Sequence, residues 1–251
     1  MTVRNIRFRQ SVIRTVLGLA SVYGVAMQPV DSAFAKVVEV SMTAVETKLV
    51  VDGEGHTYDA WTFNGQFPGP VIRVQEGDEV VFSLTNPETN GRPHSMDFHA
   101  AETNFLEHYK EVRPGESLQY RFKAKWPGIF AYHCGASPMI QHIARGMMGA
   151  IIVDPKDPKA LPKADREYVL VQSELFKDPD DVDGMFDRKY QHVVFNGSVF
   201  RYDPVHSKAG GDFLDAKPGE RVRFYFVNAG PNNVSAVHPI AEIWDDVWES
   251  G

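Results

Sequence analysis

A weak internal repeat is the feature that most constrains the fold of this chain. The segment "EGDEVVFSLTN" at 76–86 returns as "PGERVRFYFVN" at 218–228, with glycine and asparagine nine residues apart in both copies. The tripeptide Phe-Asn-Gly likewise stands at 63–65 and again at 195–197. Self-similarity of this kind is typical of repeated structural units. The simplest account is two related domains in tandem.

Each copy reads as β-structure. Short alternating runs lie between turn signals: "KVVEVSMTAVETKLVV", "VIRVQEGDEVVFSLTN", "SLQYRFKAKWPGIFAYHC" and "GAIIVDP". Such runs favour a β-sandwich or a Greek-key barrel. The segment 104–110, "NFLEHYK", predicts one short helix. We therefore expect an all-β protein of two Greek-key barrels in tandem.

The ends of the two domains can be placed from composition. Four arginines precede a short apolar run that leads to the Ala-x-Ala site at Ala33 and Ala35, which predicts a secretory signal at 1–35. The run is well short of the ~20 residues that span a bilayer, so we expect no membrane span in the mature chain. A linker rich in proline and charge at 154–165 separates a first domain at 36–158 from a second at 159–251.

The second copy of the repeat is shorter than the first. The first domain runs 59 residues from His94 to Val153, whereas 13 residues remain between His238 and Gly251. The counterpart of the closing strands of the first domain is missing, and a domain without them would leave unpaired strand edges. We expect the second domain to be incomplete, as in a fragment of a longer protein.

The charge of the chain argues against nucleic acid as a partner. The full sequence has a formal net charge of −7, and subtracting the net +3 of residues 1–35 leaves −10. An acidic exported protein does not match the basic surface that nucleic acid requires. The acidic surface is explained by solubility, or by docking of a basic electron-donor protein.

The single cysteine indicates the chemistry. One cysteine cannot form an internal disulfide, so Cys134 is a buried thiol, a nucleophile or a metal ligand. It stands in the pattern C-x7-H-x4-M with His142 and Met147, and His94 is placed on an upstream strand to add a second imidazole. Two imidazoles, a thiolate and a weak axial thioether are the ligands of a blue-copper centre. Met139 and Met148 are rival axial ligands, but Met147 has the better loop position.

Strand parity separates a second group of possible ligands. Adjacent side chains in a strand point to opposite faces, so if Cys134 faces the core then His133 faces outward. The same rule places His94 and His99, which are five positions apart, on opposite faces, with Asp97 on the face of His99. A second metal site at His99 and His133, with a carboxylate beside it, is predicted.

Together these motifs resemble one enzyme family. "PHSMDFH", "YHCGASPMIQHIARGMMG" and the downstream "SAVHPI" stand in the order found in copper-containing nitrite reductases, the two-cupredoxin-domain enzymes of denitrifiers and nitrifiers. The resemblance extends from about Val37 to the end of the chain. It implies tandem cupredoxin-like barrels, the second incomplete, and a periplasmic enzyme that reduces nitrite to nitric oxide.

The resemblance also assigns roles to residues. It implies a type 1 copper that passes electrons to a type 2 copper. Asp97 would deliver protons, and His238 would share a bridging water with it. The resemblance implies a trimer, in which the type 2 copper lies between subunits and takes its third histidine from the neighbour's second domain. That histidine is expected near the end of the domain, in the portion missing here, so residues 36–251 alone are expected to have little activity. The donor is expected to be a small cupredoxin or cytochrome c. The implied ligands are His94, Cys134, His142 and Met147 for type 1 copper, and His99 and His133 for type 2 copper.

Two other functions fit parts of the pattern. A two-domain multicopper oxidase would need paired H-x-H motifs and a cysteine with histidine on both sides, but Gly135 follows Cys134. A non-enzymatic electron-transfer cupredoxin would have no use for Asp97, His99 and His133 together. The remaining histidines match no ligand position and are interpreted as surface or hydrogen-bonded residues: His56, His108, His192 and His206.

Overall fold

A computed structural model describes residues 35–207 and 212–249. Apart from Ala35, the signal predicted at 1–35 lies outside the described residues. The strands are β1 (Val37–Val50), β2 (Thr57–Phe63), β3 (Ile72–Gln75), β4 (Glu79–Thr85), β5 (Asp97–Phe98), β6 (Ser117–Lys123), β7 (Gly128–His133), β8 (Met148–Asp154), β9 (Arg166–Phe176), β10 (Tyr190–Phe195) and β11 (Val222–Asn228). The short helices are α1 (Phe105–His108), α2 (Met139–Ala144) and α3 (Val182–Phe186). None of the helices in these ranges has the length and apolar character needed to cross a membrane.

Two four-stranded sheets form the first part of the fold. The first has the order β2-β1-β4-β6, with β1 antiparallel to β2 and parallel to β4. The second has the order β3-β8-β7-β5, in which β7 is antiparallel to both of its neighbours. One apolar core lies between the sheets. Phe82 on β4 meets Phe98 on β5 edge to face, with ring centroids 5.0 Å apart. This packing holds the short strand β5 against the core.

Strand β8 is buried on both of its faces. Ile151 and Val153 face the core between the two sheets. Met148 and Ala150 face the other way, into a separate cluster with Val171 of β9 and other residues of the third sheet. The continuous apolar run of this strand follows from this double burial, because a strand covered on both faces has no solvent side on which to place polar residues.

The third sheet, with the order β10-β9-β11, repeats part of the first. Strand β9 is antiparallel to β10 and parallel to β11, just as β1 is antiparallel to β2 and parallel to β4. The internal repeat seen in the sequence is therefore a repeat of strand topology. The domain boundary at residues 158 and 159 stays a prediction.

The repeated Phe-Asn-Gly tripeptides form the same turn. Asn64 and Asn196 have φ angles of 56° and 48°, and the glycines that follow have 73° and 77°. Asparagine and glycine are the residues that adopt this left-handed region most readily. In each copy the asparagine side chain accepts a hydrogen bond from a strand amide, Thr43 in the first at 2.7 Å and Val171 in the second at 2.8 Å.

The predicted all-β fold class is confirmed, since most of the regular secondary structure of the described residues is strand and the helices have four to six residues. The helix expected within 104–110 is α1, and the side chain of Asn104 caps it by accepting a hydrogen bond from the amide of Leu106. Helix α2, which carries the candidate ligand His142, is not predicted by the local sequence pattern.

Candidate metal centres

The end of strand β7 contributes to two separate clusters. The strand ends at His133, and Cys134 is the next residue. Because side chains alternate along a strand, the two point in opposite directions. Cys134 is fully buried in the core, whereas the side chain of His133 is 13 % exposed. Opposite His133 on β5 stands Asp97.

The buried cluster consists of His94, Cys134 and His142, whose ligating atoms all lie within 4.8 Å of one another. The Cys134 Sγ atom is 3.2 Å from Nδ1 of His142, and that nitrogen is 3.3 Å from Nδ1 of His94. All three side chains are at most 1 % exposed. Two nitrogens and one sulfur therefore converge on a single point at one end of the sandwich.

Neighbouring groups hold this cluster in place. The backbone N–H of Ser95 donates to Cys134 Sγ at 3.2 Å, and the Ser95 hydroxyl accepts from the amide of Gly135 at 2.8 Å. The indole of Trp61 covers the histidines, with its ring centroid 4.7 Å from that of His142 and 5.8 Å from that of His94. The ligand atoms are thus oriented before any ion binds.

Burial sets the charge of the cluster. It raises the pKa of the Cys134 thiol to about 11 and lowers the pKa of His142 to about 3, and it also lowers the pKa of His94. At neutral pH the three side chains are a thiol and two uncharged imidazoles. Binding of a cation would displace the thiol proton, because the thiolate is the form that binds metal.

The three methionines near the cluster occupy different environments. Met147 is fully buried and belongs to the same apolar core as Cys134. Its amide donates to the carbonyl of His142, and its carbonyl accepts from the amide of Cys134 at 2.9 Å. Met148 faces the other cluster beyond β8, and Met139 is 49 % exposed. These positions favour Met147 as the axial thioether, which stays a prediction.

The second cluster lies on the outer side of β5 and β7. Nε2 of His99 is 3.1 Å from Nε2 of His133, and Nε2 of His133 is 3.9 Å from a carboxylate oxygen of Asp97. The Nδ1–H of His133 donates to the carbonyl of Cys134 at 3.0 Å, which leaves Nε2 directed at the partner ring. His99 is exposed, and Asp97 and His133 are half-buried.

The electrostatics of this cluster favour the neutral form of His99. Partial desolvation of its ring lowers the pKa of His99, and the neighbouring His133 lowers it further. Burial and the adjacent Asp97 carboxylate raise the pKa of Tyr109 to about 12, so that its hydroxyl stays protonated beside that carboxylate. Two imidazoles next to a carboxylate are a suitable donor set for a divalent metal ion.

The structure does not bring every predicted residue into a cluster. His238 is exposed in a loop and belongs to neither group. Sequence reasoning missed Trp61, Ser95 and Tyr109, because each is distant in sequence or of a common type and acts only through spatial proximity. Of the remaining histidines, His56 and His206 are exposed, whereas His108 and His192 are half-buried. His108 stacks on Tyr120 at a centroid distance of 4.8 Å.

The fold and the buried His-Cys-His cluster are typical of the cupredoxin class of copper proteins. Residues 44–158 match the family model described as multicopper oxidase. The copper-containing nitrite reductase of Alcaligenes xylosoxydans xylosoxydans is 36% identical over 242 residues, which cover 86% of this chain and 70% of that protein. The chain belongs to the family of copper-containing nitrite reductases.

Two further comparisons agree with this assignment. The structure of the copper nitrite reductase from Nitrosomonas europaea is 59% identical, with a TM-score of 0.82, and the match covers 83% of this chain and 73% of that one. The copper-containing nitrite reductase of Neisseria gonorrhoeae is 39% identical over 238 residues, or 88% of this chain. The chain spans 57% of the length of the Neisseria protein.

Proposed function

We propose that this protein holds two copper ions and reduces nitrite to nitric oxide. The observation that carries the proposal is the juxtaposition of two different histidine clusters across one peptide bond, that between His133 and Cys134. One cluster has the buried thiol, and the other has a half-buried carboxylate and an exposed histidine. This division matches an electron-transfer site next to a substrate site.

The buried cluster fits a type 1 copper. His94, Cys134 and His142 would supply two imidazoles and a thiolate, and Met147 a weak axial thioether. The burial of these residues and the hydrogen bond from the Ser95 amide to Cys134 hold the donors in one arrangement. A rigid donor set keeps the structural change on electron transfer small.

The outer cluster fits a type 2 copper. His99 and His133 would bind the ion through Nε2, and Asp97 would stand beside it. When bound, the two ions would supply electron transfer and Lewis-acid chemistry, so that nitrite takes up one electron and two protons to give nitric oxide and water. Exposure of His99 gives a small anion access to this side.

Asp97 is suited to carry the protons. Its carboxylate lies 3.9 Å from His133 and beside the protonated hydroxyl of Tyr109, and it remains partly exposed to water. A positioned carboxyl group can accept a proton from solvent and donate it to a bound anion. We assign His238 the second proton-handling role, through a water shared with Asp97.

The assembly and location follow as parts of the same proposal. The exposed His238 lies outside both clusters, which is the arrangement expected if a second subunit completes the outer site. We propose a homotrimer in which a neighbouring subunit supplies the third histidine. A periplasmic location would suit a small cupredoxin or cytochrome c as electron donor.

Metal content and spectroscopy test this proposal. The copper-loaded protein should contain two ions per chain, absorb strongly in the visible and give two distinct electron paramagnetic resonance signals. Nitrite should change only the signal of the outer site, and nitric oxide release in the presence of a reduced donor is expected to be slow for residues 36–251 alone. A copper-loaded protein without visible absorption would overturn the two-site assignment.

The same experiment separates the rival function. The match to the multicopper oxidase family model makes oxygen reduction the second candidate. That reaction needs more histidines than the outer cluster provides among the described residues, where it holds His99 and His133. Oxygen consumption without nitrite turnover would favour the oxidase.

A further inference from the structure

The carboxylate of Glu46 makes a direct contact with the buried cluster that the copper-ligand assignment does not use. Its Oε1 atom lies 3.3 Å from Nε2 of His94. The imidazole is fully buried, while the Glu46 side chain is 23 % exposed and reaches the cluster from strand β1. The contact therefore joins the ring of a candidate ligand to strand β1 of the first sheet.

The two nitrogens of His94 face different neighbours. Nδ1 lies 3.3 Å from Nδ1 of His142, within the group that includes Cys134. Nε2 faces Glu46. An ionised carboxylate can only accept hydrogen bonds, so the proton of the neutral ring belongs on Nε2. The lone pair is then on Nδ1, the atom directed at the cluster.

The carboxylate itself is held in position. The backbone amides of Gly91 and Arg92 donate to its two oxygens at 3.0 and 2.9 Å. These two residues belong to the loop that leads into His94. The Glu46 side chain thus contacts both the loop and the His94 ring. On strand β1, Glu46 pairs with Trp61 of β2, and the Trp61 indole covers the ring of His142.

We infer that Glu46 is a positioning residue for the type 1 copper site, one that selects the His94 tautomer and adds a negative charge close to the metal. Carboxylates that accept the second N–H of a metal-bound histidine orient the ring and increase its basicity. A nearby negative charge also favours Cu(II) over Cu(I). The inference rests on the proposed function, because it assumes that copper occupies the buried cluster.

Three variants test the inference. Glu46→Leu removes the acceptor and the charge, and Glu46→Gln removes the charge but keeps an oxygen that can accept from His94. Glu39→Gln is the matched control, since Glu39 lies on the same strand and is exposed. We expect copper affinity to fall about 10-fold to 100-fold in Glu46→Leu, less in Glu46→Gln and not at all in the control.

Two further readouts distinguish positioning from a purely structural role. In the metal-free protein, nitrogen NMR of the imidazole should show His94 protonated on Nε2, with this tautomer less populated in Glu46→Leu and largely restored in Glu46→Gln. In the copper-loaded protein, the preference for Cu(II) should fall about threefold to tenfold in both variants, which is about 30 to 60 mV in midpoint potential.

The outcomes separate this inference from the proposed function. A blue protein whose tautomer, affinity and potential are unchanged in both Glu46 variants would overturn the inference alone. So would a Glu46→Leu protein that only loses thermal stability, because Glu46 would then do no more than fasten residues 91 and 92. A wild-type protein that takes up no blue copper would overturn the proposed function and this inference together.

Discussion

The two clusters at the end of strand β7 are adjacent in sequence but opposite in environment. His94, Cys134 and His142 are buried in an apolar core, and burial keeps their metal-free forms uncharged. His99 and Asp97 stand at the outer side of β5 and remain accessible to water. The first environment suits a site that exchanges only electrons, whereas the second suits one that must admit an anion and protons.

The difference arises because adjacent side chains along a strand point to opposite faces of the sheet. His133 and Cys134 share a peptide bond, yet one side chain joins the outer cluster and the other the core. Because the carbonyl of Cys134 also accepts a hydrogen bond from His133 Nδ1, the two clusters are linked by a covalent and a hydrogen-bonded contact. A mutation can therefore alter one site and leave the other intact, although the two are neighbours.

The largest expected effect is the loss of the visible band in Cys134→Ala. The band should disappear completely, because intense blue-copper absorption requires the thiolate ligand. The outer copper should remain, so metal content should fall by one ion per chain. His99→Ala should show the reverse, with the band kept and the outer ion lost. Absorbance and metal analysis check both, and colour in Cys134→Ala would contradict the assignment of the buried site.

Replacement of Asp97 by Asn should affect only the outer site. We expect nitric oxide release to fall about 100-fold or more, because the amide cannot supply a proton. The visible band should keep its wild-type intensity. Glu39→Gln, which changes the same charge at an exposed position, serves as the control. Equal turnover in Asp97→Asn and wild type would show that the protons arrive by another route.

The buried histidines should make the metal-free protein less stable in mild acid. The folded-state pKa of His142 is about 3, below its usual value of 6.5, so the unfolded chain binds more protons as the pH falls through 6.5. Stability should therefore be highest above pH 6.5 and should decrease by about 2 kcal/mol between pH 7 and pH 5 on account of His142 alone. Denaturant unfolding at both pH values measures the difference.

His142→Gln is the variant that isolates this effect. Its stability should change less between pH 7 and pH 5 than that of the wild type, by about the same 2 kcal/mol. His238→Gln replaces an exposed histidine and should keep the wild-type slope. If all three proteins showed the same pH dependence, burial of the ring would not be its cause.

The smallest expected effect distinguishes two adjacent methionines. Met147→Leu should change the Cu(II) to Cu(I) preference about tenfold, or about 60 mV, because the axial ligand tunes the potential. Met148→Leu conserves volume in a different apolar cluster and should change stability by less than about 1.5 kcal/mol and the potential hardly at all. Redox titration of both variants gives the comparison, and a larger shift in Met148→Leu would reverse the assignment.

Much of the fold could be predicted from local pattern. Alternating runs placed the strands of the first domain, and the repeated Phe-Asn-Gly predicted a repeated unit that the sheets β2-β1-β4 and β10-β9-β11 now show. Helix α2 was missed because it has six residues, starts after Pro138 and has no side-chain cap. A single short turn of this kind carries too little periodicity to be recognised.

The residues of the candidate site also differ in whether the sequence alone could identify them. Residues adjacent in sequence or on alternating strand positions, such as His133 and Cys134, could be assigned to opposite faces from the sequence alone. Glu46 and Trp61 could not, because 48 residues separate Glu46 from His94 and nothing in the local sequence shows that the two meet.

The amino-acid sequence by itself determined the donor types, their order along the chain and the faces of the strand on which they lie. These properties depend on residue chemistry and on the two-residue period of a β-strand, which are both local. Only the tertiary structure decided which donors converge, which methionine shares the core with Cys134, and that a carboxylate from β1 meets His94. Those contacts arise from the packing of one sheet against another, and packing depends on residues far apart in sequence.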